Sequence, residues 1–266
     1  MTLSLNQIIL GDCVAELPKI LDNSIHLILT DLPYGITANK WDSIISIEKL
    51  WTQFKRILSK NGVVVLTASQ PFTSKLVMSN LDMFKHEWIW IKNRGSNFAN
   101  TVREPFKEHE HVLIFSDGNW TYNKQMQKRA VNGLNRVKYN VQFQSNSANY
   151  REFEKRAKNK LEQNRVPSSW QKFNTEVGLH PTQKPVSLFE YLIKTYSNKG
   201  EVVLDCCAGS GTTAVACIKT QRKYICIEKD PKYFKVMKER ISQTTPPLEM
   251  FMEKPERQTV VRKESK

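Results

Sequence analysis

Apolar positions along the chain alternate between two rhythms. Ile25-His-Leu-Ile-Leu-Thr30 and Gly62-Val-Val-Val-Leu-Thr67 are short runs rich in β-branched residues, as buried parallel strands are. Between them Ile44, Ile47, Leu50, Trp51, Phe54, Ile57 and Leu58 recur three or four apart, which predicts a helix over 44–58. Trp88–Ile91 and His111–Phe115 carry further strand patterns. The rhythm resumes after residue 180. There Pro185 opens a helix over Val186–Tyr196, followed by a strand at Val202–Asp205 and a helix at Thr212–Lys219. A strand at Lys223–Glu228 comes next, then a helix from Asp230-Pro231 to about Ile241, with Asp as cap and Pro in the first position. Strands and helices in this alternation predict an α/β fold with a mostly parallel sheet.

One stretch breaks the rhythm. Residues 119–175 are rich in Asn and Gln and show no period, which reads as a loop-rich insertion. They hold 12 Lys/Arg against three Asp/Glu, so +9 of the chain's net +14 lies here. A basic excess of that size points to a polyanionic partner and says nothing of fold. The chain divides accordingly into 1–118, the insertion 119–175, a second ordered half 176–243 and a tail 244–266. No run approaches the ~18 apolar residues of a membrane span. No basic region precedes the first apolar residues, so a cytoplasmic protein is expected. Five cysteines without a C-x-x-C pair, and histidines outside any H-x-x-x-H grouping, predict reduced thiols and no metal.

Two constellations carry chemistry. Asp205-x-x-x-Gly209-Ser210-Gly211-Thr212-Thr213-Ala214 lies between a strand and a helix, where glycines let the backbone approach a ligand. Glu228 ends the next strand and suits a ribose diol. The same spacing fits a dinucleotide, and hence an NAD(P)-dependent dehydrogenase. Asp205 opposes that, since a carboxylate beside the loop repels pyrophosphate and favours an ammonium-bearing ligand. The second constellation, Asp31-Leu32-Pro33-Tyr34, follows the strand at 25–30, at a carboxyl end where open α/β sheets place their sites. Pro33 holds Leu32 extended. An acceptor pair beside an aromatic face suits a planar heterocycle bearing an amine.

Asp31-Leu-Pro-Tyr34 resembles the Asp-Pro-Pro-Tyr signature of amino-group DNA methyltransferases, and Cys207-Ala-Gly-Ser-Gly211 resembles their S-adenosylmethionine loop. Leu10-Gly-Asp12 and His180-Pro-Thr-Gln-Lys-Pro185 agree as well, and Leu32 in place of the first proline is the one departure. The catalytic motif precedes the cofactor loop, which is the order of the β group. The resemblance implies a Rossmann-like, mostly parallel sheet with circularly permuted motifs. It implies methyl transfer from S-adenosyl-L-methionine to a flipped-out base in double-stranded DNA, with adenine N6 as target. An N4-cytosine or RNA enzyme is the alternative, and a homodimer is possible. By resemblance, Asp31 and the Leu32 carbonyl accept from the target amine and Tyr34 stacks on the base. Gly209, Gly211 and the loop from Asp205 to Thr213 hold the methionine end. Glu228 takes the ribose, Asp12 lies near the adenine of the cofactor, and Lys184 contacts a cofactor carboxylate or a phosphate.

Overall fold

A computed structural model describes residues 5–35, 45–131, 134, 164–244 and 246. Most of the predicted tail and the centre of the basic insertion lie outside the described residues.

The first strand, β1 (Gln7–Leu10), leads into a single helical turn, α1 (Cys13–Glu16), and then β2 (Ile25–Thr30). Helix α2 (Ile47–Ile57) runs directly into β3 (Leu58–Ala68), so the predicted strand–helix–strand unit is present with a shorter helix and a longer second strand. Ser46 caps α2, its hydroxyl accepting from Lys49 N at 3.4 Å. Helix α3 (Phe72–Ser79), β4 (Phe84–Ile91) and β5 (His109–Phe115) follow. Among the described residues of 119–175 lie three short strands: β6 (Gln127–Lys128), β7 (Asn164–Arg165) and β8 (Trp170–Lys172). The last part comprises α4 (Val186–Tyr196), β9 (Val202–Asp205), α5 (Thr212–Thr220), β10 (Lys223–Glu228) and α6 (Pro231–Ser242).

Eight strands form one sheet in the order β1-β10-β9-β2-β3-β5-β4-β8. All adjacent pairs are parallel except β5 with its two neighbours. Burial on both faces explains the unbroken apolar runs. Leu27 and Leu29 of β2 face α4 and α5, while Ile28 faces α2 and α3. The chain leaves β9 for β10 on one side and β2 for β3 on the other. The strand order therefore reverses between β9 and β2, and their carboxyl ends carry Asp205 and Asp31. Such a switch point leaves a crevice for ligand.

Candidate active site

A cavity of about 860 Å³ opens at that switch point, large enough for a nucleoside cofactor together with a second flat group. Residues from both halves of the chain line it.

Asp31 sits where β2 ends. Its Oδ1 accepts from the Tyr34 hydroxyl at 2.7 Å and from the Thr67 hydroxyl of β3, and its Oδ2 accepts from Lys184 Nζ at 2.5 Å. Lys184 is buried and also lies 3.5 Å from Glu110 Oε2. Glu110 in turn pairs with buried Lys92 through Oε1. Charges thus alternate along Asp31, Lys184, Glu110 and Lys92, and the quartet is neutral. Burial alone would push the Lys184 ammonium down, but Asp31 and Glu110 outweigh it and hold it above the ordinary lysine value. Burial would likewise raise Glu110, yet Lys184 and Lys92 bring it below the usual carboxylate range. Tyr34 is held well above the ordinary phenol value, by burial first and then by Asp31, so its hydroxyl stays a donor. The Tyr34 ring packs against Phe72 at 5.2 Å between centroids, and Lys184 Nζ lies 5.8 Å from its centre. The Leu32 side chain is buried with α2 and α3, which anchors the turn from below.

Across the cavity, Asp205 ends β9. Its Oδ1 accepts from Cys207 N at 3.1 Å and its Oδ2 from the Thr213 hydroxyl. Burial raises its carboxyl to about 6 despite those bonds. Glu228 ends β10, its Oε2 accepting from Gly209 N at 2.7 Å and Oε1 from Asp230 N at 2.8 Å. Asp12 caps α1 by accepting from Val14 N at 2.8 Å and stands exposed at the cavity wall.

Gly209, Ser210 and Thr212 line the cavity, and Gly211 and Thr213 stand behind its wall. Gly211 has φ 80° and caps α5, and a Cβ there would lie 2.6 Å from Met237 Cγ of α6. Its absent side chain lets α5 and α6 pack closely. Gly211→Ala is expected to cost about 2–3 kcal/mol from the left-handed backbone and the overlap, lowering Tm by roughly 5–10 °C in a calorimetric scan. Thr213 acts behind the wall, holding Asp205. Lys184, expected at a cofactor carboxylate or phosphate, lines the cavity and is engaged by Asp31 and Glu110.

Several residues escaped the sequence reading. Glu110 lies in the polar start of β5 and Lys92 just after the apolar end of β4, and a charge bordering an apolar run was the available signal. Glu176 accepts from Val186 N at 2.9 Å and Gln183 Nε2 at 3.1 Å, and pairs with Arg240 at 3.4 Å. Arg240 also donates to Thr212 Oγ1 at 3.1 Å and Ser210 Oγ at 3.3 Å, which ties the 176–186 segment to the glycine loop. Cys13, Cys206 and Cys207 bring three sulfurs within 4.8 Å of one another on the cavity wall, although Cys13 lies far along the sequence from the adjacent pair.

A sheet with one reversed strand, a carboxylate beside a Leu-Pro-Tyr turn and a glycine loop facing a ribose-type acceptor define a nucleoside-dependent group-transfer enzyme. The chain belongs to the DNA methylase family of N6/N4 methyltransferases, whose profile matches residues 25–239. It is 29% identical to the DNA adenine methyltransferase YhdJ of Escherichia coli over 86% of this chain and 80% of that protein. It is 28% identical to the type II methyltransferase M.HinfI of Haemophilus influenzae over 91% of this chain and 70% of that one. Among solved structures, M1.HpyAVI in complex with SAM superposes with a TM-score of 0.61 at 24% identity, covering 88% of this chain and 98% of that chain. The cytosine-N4-specific PvuII DNA methyltransferase superposes with a TM-score of 0.63 at 15% identity over 90% of this chain and 87% of that one. The Rossmann-like methyltransferase fold is therefore as expected, and family membership replaces the dehydrogenase reading of the glycine loop.

The cofactor of this family is S-adenosyl-L-methionine, and the residues present fit it. Asp205 faces the cavity with a carboxyl that burial has raised, so a cationic ligand supplies the counter-charge it lacks. Glu228 adds an acceptor at the next strand end, where a ribose diol fits. Among the described residues no helix is long and apolar enough to cross a membrane.

Proposed function

We propose that this DNA methyltransferase modifies the N6 amine of adenine in double-stranded DNA at one sequence context. The observation that carries this reading is the Asp31 carboxylate. A carboxylate offers about four lone-pair positions, and Tyr34, Thr67 and Lys184 occupy three of them. One acceptor position is left, at the cavity, beside the Leu32 carbonyl that Pro33 holds extended. Two acceptors on one amine favour its pyramidal form and so localise a lone pair otherwise spread into the ring. The bound cofactor supplies an electrophilic methyl group on a sulfonium. Asp205, Glu228 and the Gly209–Thr212 loop hold and orient it, so that the residues of this chain contribute mainly positioning and electrostatics. The Tyr34 ring, backed by Phe72, offers the stacking face. Adenine rather than cytosine is supported by the Asp-initiated motif and by the similarity to an adenine methyltransferase. The fold does not discriminate, since a cytosine-N4 enzyme shares it.

Single-molecule sequencing of DNA from cells expressing the chain tests this directly. N6-methyladenine in one recurring context is expected, and methylation at cytosine N4, or none, overturns it.

The basic stretch 119–175 is proposed as the target-recognition surface. Its described ends pack onto the catalytic half: β8 pairs with β4, and Trp90 Nε1 donates to the Phe173 carbonyl at 2.9 Å. Lys124 and Lys128 are exposed. Lys124→Glu with Lys128→Glu is expected to weaken duplex binding about 10-fold or more and to reduce its salt slope by roughly two, with S-adenosylhomocysteine affinity unchanged. Fluorescence anisotropy across a salt series checks it, and equal loss of both ligands would mark the segment as structural.

A further inference from the structure

The connection from β4 to β5, residues 92–108, presents a surface that the active site leaves unexplained. Apolar side chains stand bare at its tip: Phe98 is 82% exposed and Val102 92% exposed. Such exposure would be unremarkable on a loose loop, but this one is built. Asn97 Oδ1 accepts from Lys107 N at 2.6 Å, while Asn97 Nδ2 donates to the Pro105 carbonyl at 3.0 Å. Ser96 N donates to the Lys107 carbonyl at 3.2 Å. A single 3₁₀ turn, Phe98–Asn100, carries the first apolar residue, and Arg103 N and Glu104 N both donate to the Asn100 carbonyl, at 2.9 and 3.1 Å. The neck is closed by packing: a Cβ on Gly95 would meet the Phe106 ring at 2.5 Å. A braced loop that still leaves two large apolar groups in water has a partner to bury them.

The position of the loop and its charge identify that partner. Arg94, Gly95, Ser96 and Lys107, at the base of the loop, line the same cavity as Asp31 and Tyr34. Lys92, Arg94, Arg103 and Lys107 outnumber Glu104 and Glu108 across the loop, and the cations nearest the tip are Arg94, Arg103 and Lys107. Cations flanking an apolar tip match a duplex, in which phosphates surround a stack of flat bases.

We propose that residues 94–107 form a wedge that enters double-stranded DNA beside the target base, with Phe98 filling the space the flipped base vacates and Val102 packing against the adjoining step. Arg94, Arg103 and Lys107 hold the flanking phosphates. The wedge keeps the base out of the stack and close to Asp31, which lowers the cost of extrusion. This rests on the reading of the site as one that methylates a base in duplex DNA.

Phe98→Ala in the full chain tests it. Two duplexes carry the recognised sequence, one intact and one with an abasic position opposite the target base, so that the target is already unpaired. Methyl transfer to the intact duplex is expected to fall about 10-fold or more, and transfer to the abasic duplex to stay within about twofold. With 2-aminopurine at the target position, the rise in fluorescence on binding should shrink in Phe98→Ala and persist in Phe98→Leu. An equal loss on both duplexes, or no loss on either, overturns the wedge. Failure of the unsubstituted chain to methylate either duplex would instead overturn the proposed function. The exposure of Phe98 makes misfolding an inadequate explanation, and an unchanged melting temperature for Phe98→Ala verifies that.

Discussion

Asp31→Asn is expected to lower methyl transfer by about 10³-fold or more while leaving S-adenosylhomocysteine affinity within about twofold. The substitution keeps the shape of the side chain and replaces one acceptor oxygen by a donating amide. Three donors now converge on Asp31, from Tyr34, Thr67 and Lys184. An asparagine presents its carbonyl to one side of that set and turns N–H groups toward the other. Whichever orientation it adopts, an N–H competes with these donors or points at the target amine, which itself needs an acceptor. The buried Lys184 also loses one of its two counter-charges, which lowers the stability of the loop and of the protonated amine together. Incorporation of labelled methyl into DNA measures the first quantity and calorimetric titration the second. Comparable loss of product affinity would mean that Asp31 shapes the whole cavity rather than the methyl-accepting side of it.

The elements most legible in the sequence are those whose residues solve a purely local problem. The runs at 25–30 and 223–228 are apolar on both faces because helices cover both sides of the sheet, and a strand buried twice can be read from composition alone. Asp230-Pro231 announces a helix start because cap and first turn are set by adjacent residues, and Asp230 accepts from Lys232 N at 2.8 Å as that pattern requires. What stayed illegible depends on partners far along the chain. Strand β8 is three residues within a basic, polar stretch, and only its pairing with Ile89–Ile91 makes it a strand. Helix α3 is short, and β1 is an edge strand of four residues, so neither offers enough periods to detect. The same division runs through the site. Asp31–Tyr34 and the glycine loop are contiguous signatures of the family. Glu110, Lys92 and the Glu176–Arg240 clamp are assembled by folding, and no spacing rule ties a glutamate on β5 to a lysine ahead of α4.

Lys184 separates those two kinds of knowledge, because its motif was legible and its partner was not. Lys184→Met removes one cation from a neutral quartet and leaves two carboxylates with Lys92, which pairs with Glu110. The methionine is close to lysine in length and apolar, so packing in the buried channel is largely preserved. Without Lys184, the buried Glu110 carboxyl loses the chief charge that holds it below the usual range and takes up a proton at higher pH, and the brace on the Asp31 acceptor is lost with the cation. The expected result is a fall in kcat of about 10²-fold at neutral pH, with the acid limb of the pH–rate profile moved to higher pH, so that part of the activity returns in alkaline buffer. Lys184→Arg keeps the charge and should recover much of kcat without shifting the limb. A direct contact to the carboxylate of the cofactor predicts the opposite division: KM for S-adenosylmethionine and the affinity for S-adenosylhomocysteine would worsen 10-fold or more, and the pH limb would stay in place. Steady-state kinetics across pH with both variants therefore decides whether Lys184 serves the methyl acceptor or the methyl donor. The 2.5 Å contact to Asp31 favours the acceptor.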